Sequence, residues 1–144
     1  MVLRRLHAVA AIAFVATIIV QVFLAGSAIA NLGGSGDFST HREFGFMWVG
    51  LAALAVLVTA LVARRPRRDV GISAGLLVLY IVQTILPGAK ASAPWVAALH
   101  PVNAMLLFAL AVWYARHAWV VGFRAEAASP APTANVQAAP AEAR

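Results

Sequence analysis

Cysteine is absent from this chain of 144 residues. Without thiolates, it cannot form disulfides, zinc–thiolate sites or iron–sulfur clusters, and it cannot attach a c-type haem covalently. Acidic residues are scarce, at five Asp and Glu together, and charged residues make up only 11% of the sequence. Soluble domains carry about a quarter charged residues, so this composition argues against one. Any redox cofactor must be held by histidine, methionine or non-covalent packing.

Long apolar segments take the place of that missing charge. The chain is 62% hydrophobic, with a mean hydropathy of +0.85. Four segments approach or exceed the roughly 20 residues that span a bilayer as a helix; they are Leu6–Ala30, Phe44–Ala63, Val70–Pro87 and Trp95–Val121. The sequence therefore predicts an all-α, four-helix transmembrane domain over residues 1–122. Residues 123–144 are rich in Ala and Pro, and we expect a disordered tail there.

The basic residues predict the orientation of these helices. Only Arg42 and Lys90 fall on one side of the predicted spans, and the other arginines fall on the opposite side; these are Arg4, Arg5, Arg64, Arg65, Arg67, Arg68, Arg116, Arg124 and Arg144. The positive-inside rule then places both termini in the cytoplasm, and short connections predict an up-down-up-down bundle. The net charge of +6 fits loops beside anionic lipid, and no aromatic–basic interleaving predicts binding to nucleic acid.

The first segment also resembles a secretory signal. Arg4 and Arg5 precede an apolar run that ends in Ala28-Ile29-Ala30, a small-residue pattern typical of cleavage sites. The run is longer than the 7–15 apolar residues of a signal core. We therefore expect a retained first helix.

Polar residues inside the segments recur at helical spacing, so each segment has one polar face, which must point into the bundle. The second segment adds a face of mostly small side chains. The residues concerned are His7, Thr17 and Gln21; His41, Trp48, Ala52, Ala55 and Thr59; Ser73, Tyr80, Gln83 and Thr84; and His100, Asn103, Tyr114 and His117. We interpret Gln21, Thr59, Gln83 and Asn103 as donors and acceptors of interhelical hydrogen bonds, worth about 0.6 kcal/mol each.

Two histidines are the principal candidates for a cofactor site. His41 opens the second segment, and His100 lies early in the fourth, before Pro101, which should bend the helix. His41 is 23 residues from Arg64, and His100 is 24 residues from Arg124, which places the two rings at one depth if Arg124 marks the membrane edge. If Arg116 marks it instead, only 16 residues from His100, the two rings differ by roughly 10 Å in height. Intramembrane histidine indicates function by default. We predict that His41 and His100 bind the iron of a b-type haem near the external face, with Asn103 as a supporting cofactor-binding residue.

His7 and His117 lie near the opposite, cytoplasmic ends of the first and fourth segments. Two interpretations stay open for them. They could form a second, inner metal site, or they could be interfacial histidines in contact with water and headgroups. The neighbouring Arg5 and Arg116 favour the interfacial interpretation.

Thr40-His41-Arg42, the loop Arg64–Arg68 and the stretch Leu99–Ala104 are similar to a family of uncharacterised bacterial four-helix membrane proteins over residues 1–122. This resemblance implies a multi-pass protein of the bacterial plasma membrane. More distantly, the layout resembles one four-helix half of haem A synthase, which implies haem ligation by His41 and His100. That family has a glutamate three residues before the first histidine, where this chain has Phe38. The departure argues against haem-oxidising activity.

Two functions follow as alternatives. The first is electron transfer or redox sensing through haem b, with a membrane redox partner or quinone. The second is a cofactor-free assembly partner or small transporter, in which the polar faces hold helices together or line a hydrated path. An enzyme is the less favoured interpretation, because no nucleophile motif surrounds any serine.

Overall fold

The structure is a computed structural model that describes residues 1–32 and 36–124. It contains four helices that are long and apolar enough to cross a membrane; they are α1 (Val2–Ile29), α2 (Ser39–Val62), α3 (Arg67–Lys90) and α4 (Pro94–Phe123). No strand occurs within the described ranges. The prediction of an all-helical protein with four apolar spans is therefore confirmed. The predicted disordered tail lies outside the described residues, which end at Arg124.

The connection between α2 and α3 is a tight backbone turn. At the end of α2, Arg64 adopts a positive φ of 49°, and the Arg65 N–H donates to the carbonyl of Ala60 at 2.9 Å. A left-handed residue with such a returning bond is a common way to satisfy the last carbonyls of a helix. Pro66 then precedes the first turn of α3, and Asp69 is the third residue of that helix. The side chain of Asp69 does not cap α3, because its carboxylate pairs with Arg65.

α2 is not a regular α-helix throughout, because a π turn occupies Gly45–Val49. A π turn contains one residue more than an α turn, so it shifts the inward face by about 100°. Trp48 is consequently 57% exposed on the outer surface, while the next residue, Val49, is 4% exposed and belongs to the core. Trp48 was predicted on the inward face with His41, and that prediction is wrong for this reason.

The four helices pack in a ring in which α1 contacts α2 and α4, and α3 contacts α2 and α4. Alanine supplies seven of the fifteen apolar residues that are buried in the described part of the chain. Small side chains allow close approach of helices, which matters in lipid because apolar burial alone does not favour association there. Phe14 and Tyr114 are the largest fully buried side chains. Large apolar residues such as Met105, at 73% exposure, lie on the outside and suit contact with acyl chains.

Candidate functional site

His41 and Gln21 join the beginning of α2 to α1 through three polar contacts. The His41 Nδ1 lies 3.1 Å from the backbone carbonyl oxygen of Gln21. The Gln21 side-chain amide donates to the His41 carbonyl at 2.8 Å, and the same nitrogen lies 3.2 Å from the His41 Nε2. A carbonyl can only accept, so Nδ1 carries the proton and Nε2 presents its lone pair.

His100 and Gln83 repeat this arrangement between α4 and α3. The His100 Nδ1 lies 3.0 Å from the backbone carbonyl oxygen of Gln83, and the His100 Nε2 lies 3.1 Å from the Gln83 side-chain nitrogen. Asn103, one turn further along α4, donates to the Gln83 side-chain oxygen at 2.7 Å and to the Leu79 carbonyl at 2.9 Å. Asn103 therefore fixes the orientation of the Gln83 amide and acts on His100 only through it.

The two imidazole rings lie beside each other inside the helix ring. Their centroids are 6.4 Å apart, and their planes are inclined by 70°. Both rings are half-buried. Because each Nδ1 donates to a backbone carbonyl, each Nε2 presents its lone pair, which faces the side-chain nitrogen of Gln21 or Gln83. This is the form in which histidine binds a metal, and a second hydrogen bond at Nδ1 is the usual support of a ligating ring.

The π turn of α2 lies next to this pair of histidines. Tyr80 of α3 donates its hydroxyl to the carbonyls of Gly45 and Phe46 at 3.2 and 3.3 Å, which the π turn leaves available. A Cβ on Gly45 would lie 2.6 Å from the Gln21 side-chain nitrogen, so only glycine leaves room for that amide. π turns inside α-helices occur frequently at functional sites.

The donor set can be compared with what a haem iron requires. The two ring centroids are 6.4 Å apart, so both imidazoles are available to one site. Each Nε2, however, lies against the side-chain nitrogen of the neighbouring glutamine, at 3.2 Å for His41 and 3.1 Å for His100. The buried side-chain oxygen of Gln21 lacks a hydrogen-bond partner within the described part of the chain. Within the described ranges, no group of three or more His, Cys, Asp or Glu side chains could hold a metal ion. A metal between α2 and α4 would therefore depend on the His41 and His100 rings.

A separate polar cluster surrounds His7, which is 1% exposed and not an interfacial residue in water. The favoured interpretation of His7 from the sequence was therefore wrong. The Thr59 hydroxyl donates to the Ala55 carbonyl at 2.6 Å, so the His7 Nδ1 donates to Thr59 at 2.9 Å. The His7 Nε2 then accepts from the Tyr114 hydroxyl at 2.9 Å. Both ring nitrogens of His7 are occupied by contacts that join α1, α2 and α4.

The His117 ring stacks on the Tyr114 ring, with the two centroids 6.1 Å apart and the planes inclined by 28°. Its Nε2 is 3.3 Å from one carboxylate oxygen of Asp69, whose other oxygen pairs with Arg65. Asp69 is 4% exposed and Arg65 is buried beside it, whereas the His117 side chain is 38% exposed. His7 and His117 both contact the Tyr114 ring, but their ring nitrogens have different partners, Thr59 and the Tyr114 hydroxyl for His7 and Asp69 for His117.

Several functional contacts escaped the sequence analysis. Gln21 and Gln83 were interpreted only as interhelical hydrogen-bonding residues, although both contact the candidate histidines. The signal that could have found them is a repeated order, in which a glutamine precedes a histidine by 20 residues in one helix pair and by 17 in the other. Arg65 was assigned only to a loop, whereas it is buried with Asp69.

Comparison with known proteins bears on the family and not on the activity. No curated protein and no solved structure matches the chain. The matched segment contains Gln21, His41 and Gln83, and it ends before His100. The similarity to an uncharacterised family, predicted from the sequence, is confirmed: residues 21–90 match the model described as a family of unknown function, DUF6220.

Proposed function

We propose that this protein binds one b-type haem through His41 and His100 and carries electrons within the membrane. The observation that carries the proposal is the matched pair of neutral imidazoles, with centroids 6.4 Å apart and both Nδ1 atoms bonded to backbone carbonyls. Bound haem would supply reversible one-electron chemistry, with a potential set by its ligands, burial and hydrogen bonds.

The residues of this chain would perform three tasks around that group. His41 and His100 would hold the iron through their ring nitrogens. The backbone carbonyls of Gln21 and Gln83 would keep both rings in the tautomer that can bind a metal. The Gln21 and Gln83 amides contact the Nε2 atoms at 3.2 and 3.1 Å, so these amides must turn away when the nitrogens bind iron.

We further propose an up-down-up-down arrangement with both termini in the cytoplasm of a bacterial cell. His7, near the start of α1, contacts Thr59 near the end of α2, while Gln21, in the second half of α1, contacts His41 at the start of α2. These contacts support neighbouring helices of opposite direction. The orientation is supported by the arginines, which concentrate at the end of the bundle that contains His7. The haem would then lie near the external face, within reach of a quinone or a membrane redox partner.

The proposal is tested by absorption spectroscopy of protein purified from cells supplied with a haem precursor. We expect a Soret band that shifts and sharpens on reduction, and about one haem per chain by the pyridine haemochrome assay. His41→Ala and His100→Ala should each abolish the low-spin spectrum, because each removes one axial nitrogen. His117→Gln is the matched control and should keep it, since His117 contacts Asp69 and not the candidate site.

Rescue by free imidazole separates ligation from folding. In His100→Gly, added imidazole should restore the low-spin spectrum if His100 serves as a ligand. A folded, colourless wild-type protein that also fails to bind added haemin would overturn the proposal, as would an unchanged spectrum in both alanine variants.

A cofactor-free assembly or transport protein is the second candidate, and it is supported by the Gln–His contacts themselves. These contacts satisfy both ring nitrogens of His41 and His100 and join α1 to α2 and α3 to α4. Under this function the histidines only hold helices together. Gln21→Leu separates the two candidate functions. Under either function it should lower the stability of the fold, but only a haem-binding protein should still give a haem spectrum in this variant.

A further inference from the structure

A basic cleft of about 470 Å³ lies at the other end of the bundle from His41 and His100. The end of α2, the start of α3, the start of α1 and the last turns of α4 form its walls. Its charged and titratable lining residues are Arg4, Arg64, Arg65, Arg68, Asp69 and His117. His7 and Gln21 are 14 residues apart on α1, so the cleft lies roughly 20 Å from the candidate haem site at 1.5 Å per residue.

The charge balance of the cleft is strongly positive. Four arginines line it against a single carboxylate, and that carboxylate already pairs with Arg65 and contacts His117. Arg4, Arg64 and Arg68 have exposed side chains. Their guanidinium groups can converge on a ligand, and guanidinium matches phosphate oxygens with two parallel hydrogen bonds.

Besides the positive charge of the cleft, the environment of Arg65 is an independent indication that the cleft binds a ligand. Its side chain is only 5% exposed, and one terminal nitrogen pairs with Asp69. Its Nε is buried without a hydrogen-bond partner among the described residues. Buried donors are nearly always bonded, and an unbonded one on a charged group carries a substantial penalty. Arg65 also lines the cleft, so a rotation of its side chain would bring this N–H to an acceptor seated there.

The position of the cleft indicates which acceptor it receives. α2 ends at Val62 and α3 begins at Arg67, so the cleft lies where the apolar spans end. Leu61 and Val62 next to it are each 55% exposed, and Val120 is 40% exposed. Acyl chains can lie on these apolar side chains while a phosphate enters the cleft. Basic pockets between transmembrane helices at this depth are suited to anionic headgroups.

We propose that the cleft binds the phosphate headgroup of an anionic phospholipid. The exposed arginines attract the headgroup, and the buried Arg65 Nε–H donates to a phosphate oxygen. The site is independent of haem binding, because none of its lining residues contacts His41 or His100.

The test measures affinity for short-chain lipids by thermal unfolding of the detergent-solubilised protein. Dihexanoyl phosphatidylglycerol is the probe, dihexanoyl phosphatidylcholine is the zwitterionic control, and inorganic phosphate is the soluble anion. We expect phosphatidylglycerol to raise the melting temperature at concentrations where the other two have no effect. If inorganic phosphate stabilises the protein equally, the cleft binds anions but its ligand is not a lipid, and the proposal is wrong on that point. If phosphatidylcholine stabilises it equally, the cleft does not select a negative headgroup, and the proposal is overturned.

Variants of the loop supply matched controls. Arg64→Gly removes one charge at a position with φ of 49°, which glycine adopts freely, so folding should not suffer. It should lower the affinity for phosphatidylglycerol about fivefold, the factor expected for one basic residue near an anionic lipid. Arg67→Gln removes an equal charge from the first residue of α3, which does not line the cleft, and it should change the affinity less than twofold. An equal loss in both variants would show only a diffuse surface attraction and would overturn the proposal.

Arg65→Lys tests the buried donor itself. It keeps the positive charge next to Asp69 but removes the Nε–H, and we expect a loss of affinity of more than fivefold. The melting temperature without lipid reports whether the variant still folds. Unchanged affinity in a folded Arg65→Lys protein would contradict the role assigned to Arg65.

Discussion

The Tyr114 hydroxyl offers the most direct test of the polar cluster inside the bundle. Tyr114 is completely buried, and its oxygen lies 2.9 Å from the His7 Nε2, 3.1 Å from the Ser73 hydroxyl and 3.1 Å from the Asp69 carbonyl. One oxygen therefore joins α1, α3 and α4. Tyr114→Phe removes this atom and keeps the ring, so apolar packing is nearly unchanged.

The expected loss follows from hydrogen-bond accounting. The hydroxyl has one proton to donate and accepts one bond, so the substitution removes two bonds of about 0.6 kcal/mol each. It also leaves the buried His7 Nε2 without a donor, which costs about 1 kcal/mol more. We expect Tyr114→Phe to lower the free energy of unfolding by about 2 kcal/mol.

Tyr80→Phe is the matched control. The Tyr80 hydroxyl shares one proton between the Gly45 and Phe46 carbonyls, at longer distances of 3.2 and 3.3 Å. Its removal should cost about 0.6 kcal/mol. Both values can be measured by unfolding in mixed detergent micelles of increasing dodecyl sulfate fraction, followed by tryptophan fluorescence.

A double-mutant cycle isolates the bond between Tyr114 and His7. Combining Tyr114→Phe with His7→Leu should give a coupling energy of about 1 kcal/mol, because each single change already removes the contact. A loss below 0.5 kcal/mol for Tyr114→Phe, or a coupling indistinguishable from zero, would refute the hydrogen-bond assignment.

Two further substitutions test the candidate site. Gly45→Ala should force the Gln21 amide, 2.6 Å from the new Cβ, out of its hydrogen bond to the His41 carbonyl, so unfolding in mixed micelles should be easier by about 0.6 kcal/mol. Gly75→Ala, whose Cβ meets no atom within 4 Å, is the control and should not be destabilised, and equal effects of the two substitutions on unfolding would contradict the packing described. Asn103→Leu removes two hydrogen bonds to α3 and releases the Gln83 amide, so unfolding in mixed micelles should be easier by about 1 kcal/mol; no measurable change would show that Asn103 does not hold that amide.

The sequence predicted the helices well because long apolar segments leave few alternatives in lipid. It also indicated which residues face inward in three helices, since regular helical spacing relates position to direction. The prediction failed for Trp48, because the π turn at Gly45–Val49 has no distinct signature in the hydrophobic pattern. Helical spacing predicts which residues of one helix share a face, but it does not predict the distance between residues on different helices.

The environment of individual polar residues was harder to predict. His7 is near a chain end and beside basic residues, which usually indicates an exposed position, yet the small side chains of α4 allow it to reach Tyr114 in the core. Arg65 has the composition of a solvated loop residue, but the turn after Ala60 directs it back to Asp69. The haem prediction for His41 and His100 stays a prediction that spectroscopy can decide.

The π turn of α2 has a consequence for comparisons among related chains. It changes the helical phase between its two sides, and His41 before the turn and Thr59 after it both contact α1. A relative that lacks this additional residue would align with α2 only if a one-residue gap is allowed inside the helix. Ungapped alignments would then assign the histidine position to a neighbouring residue, and a shared ligand could be overlooked.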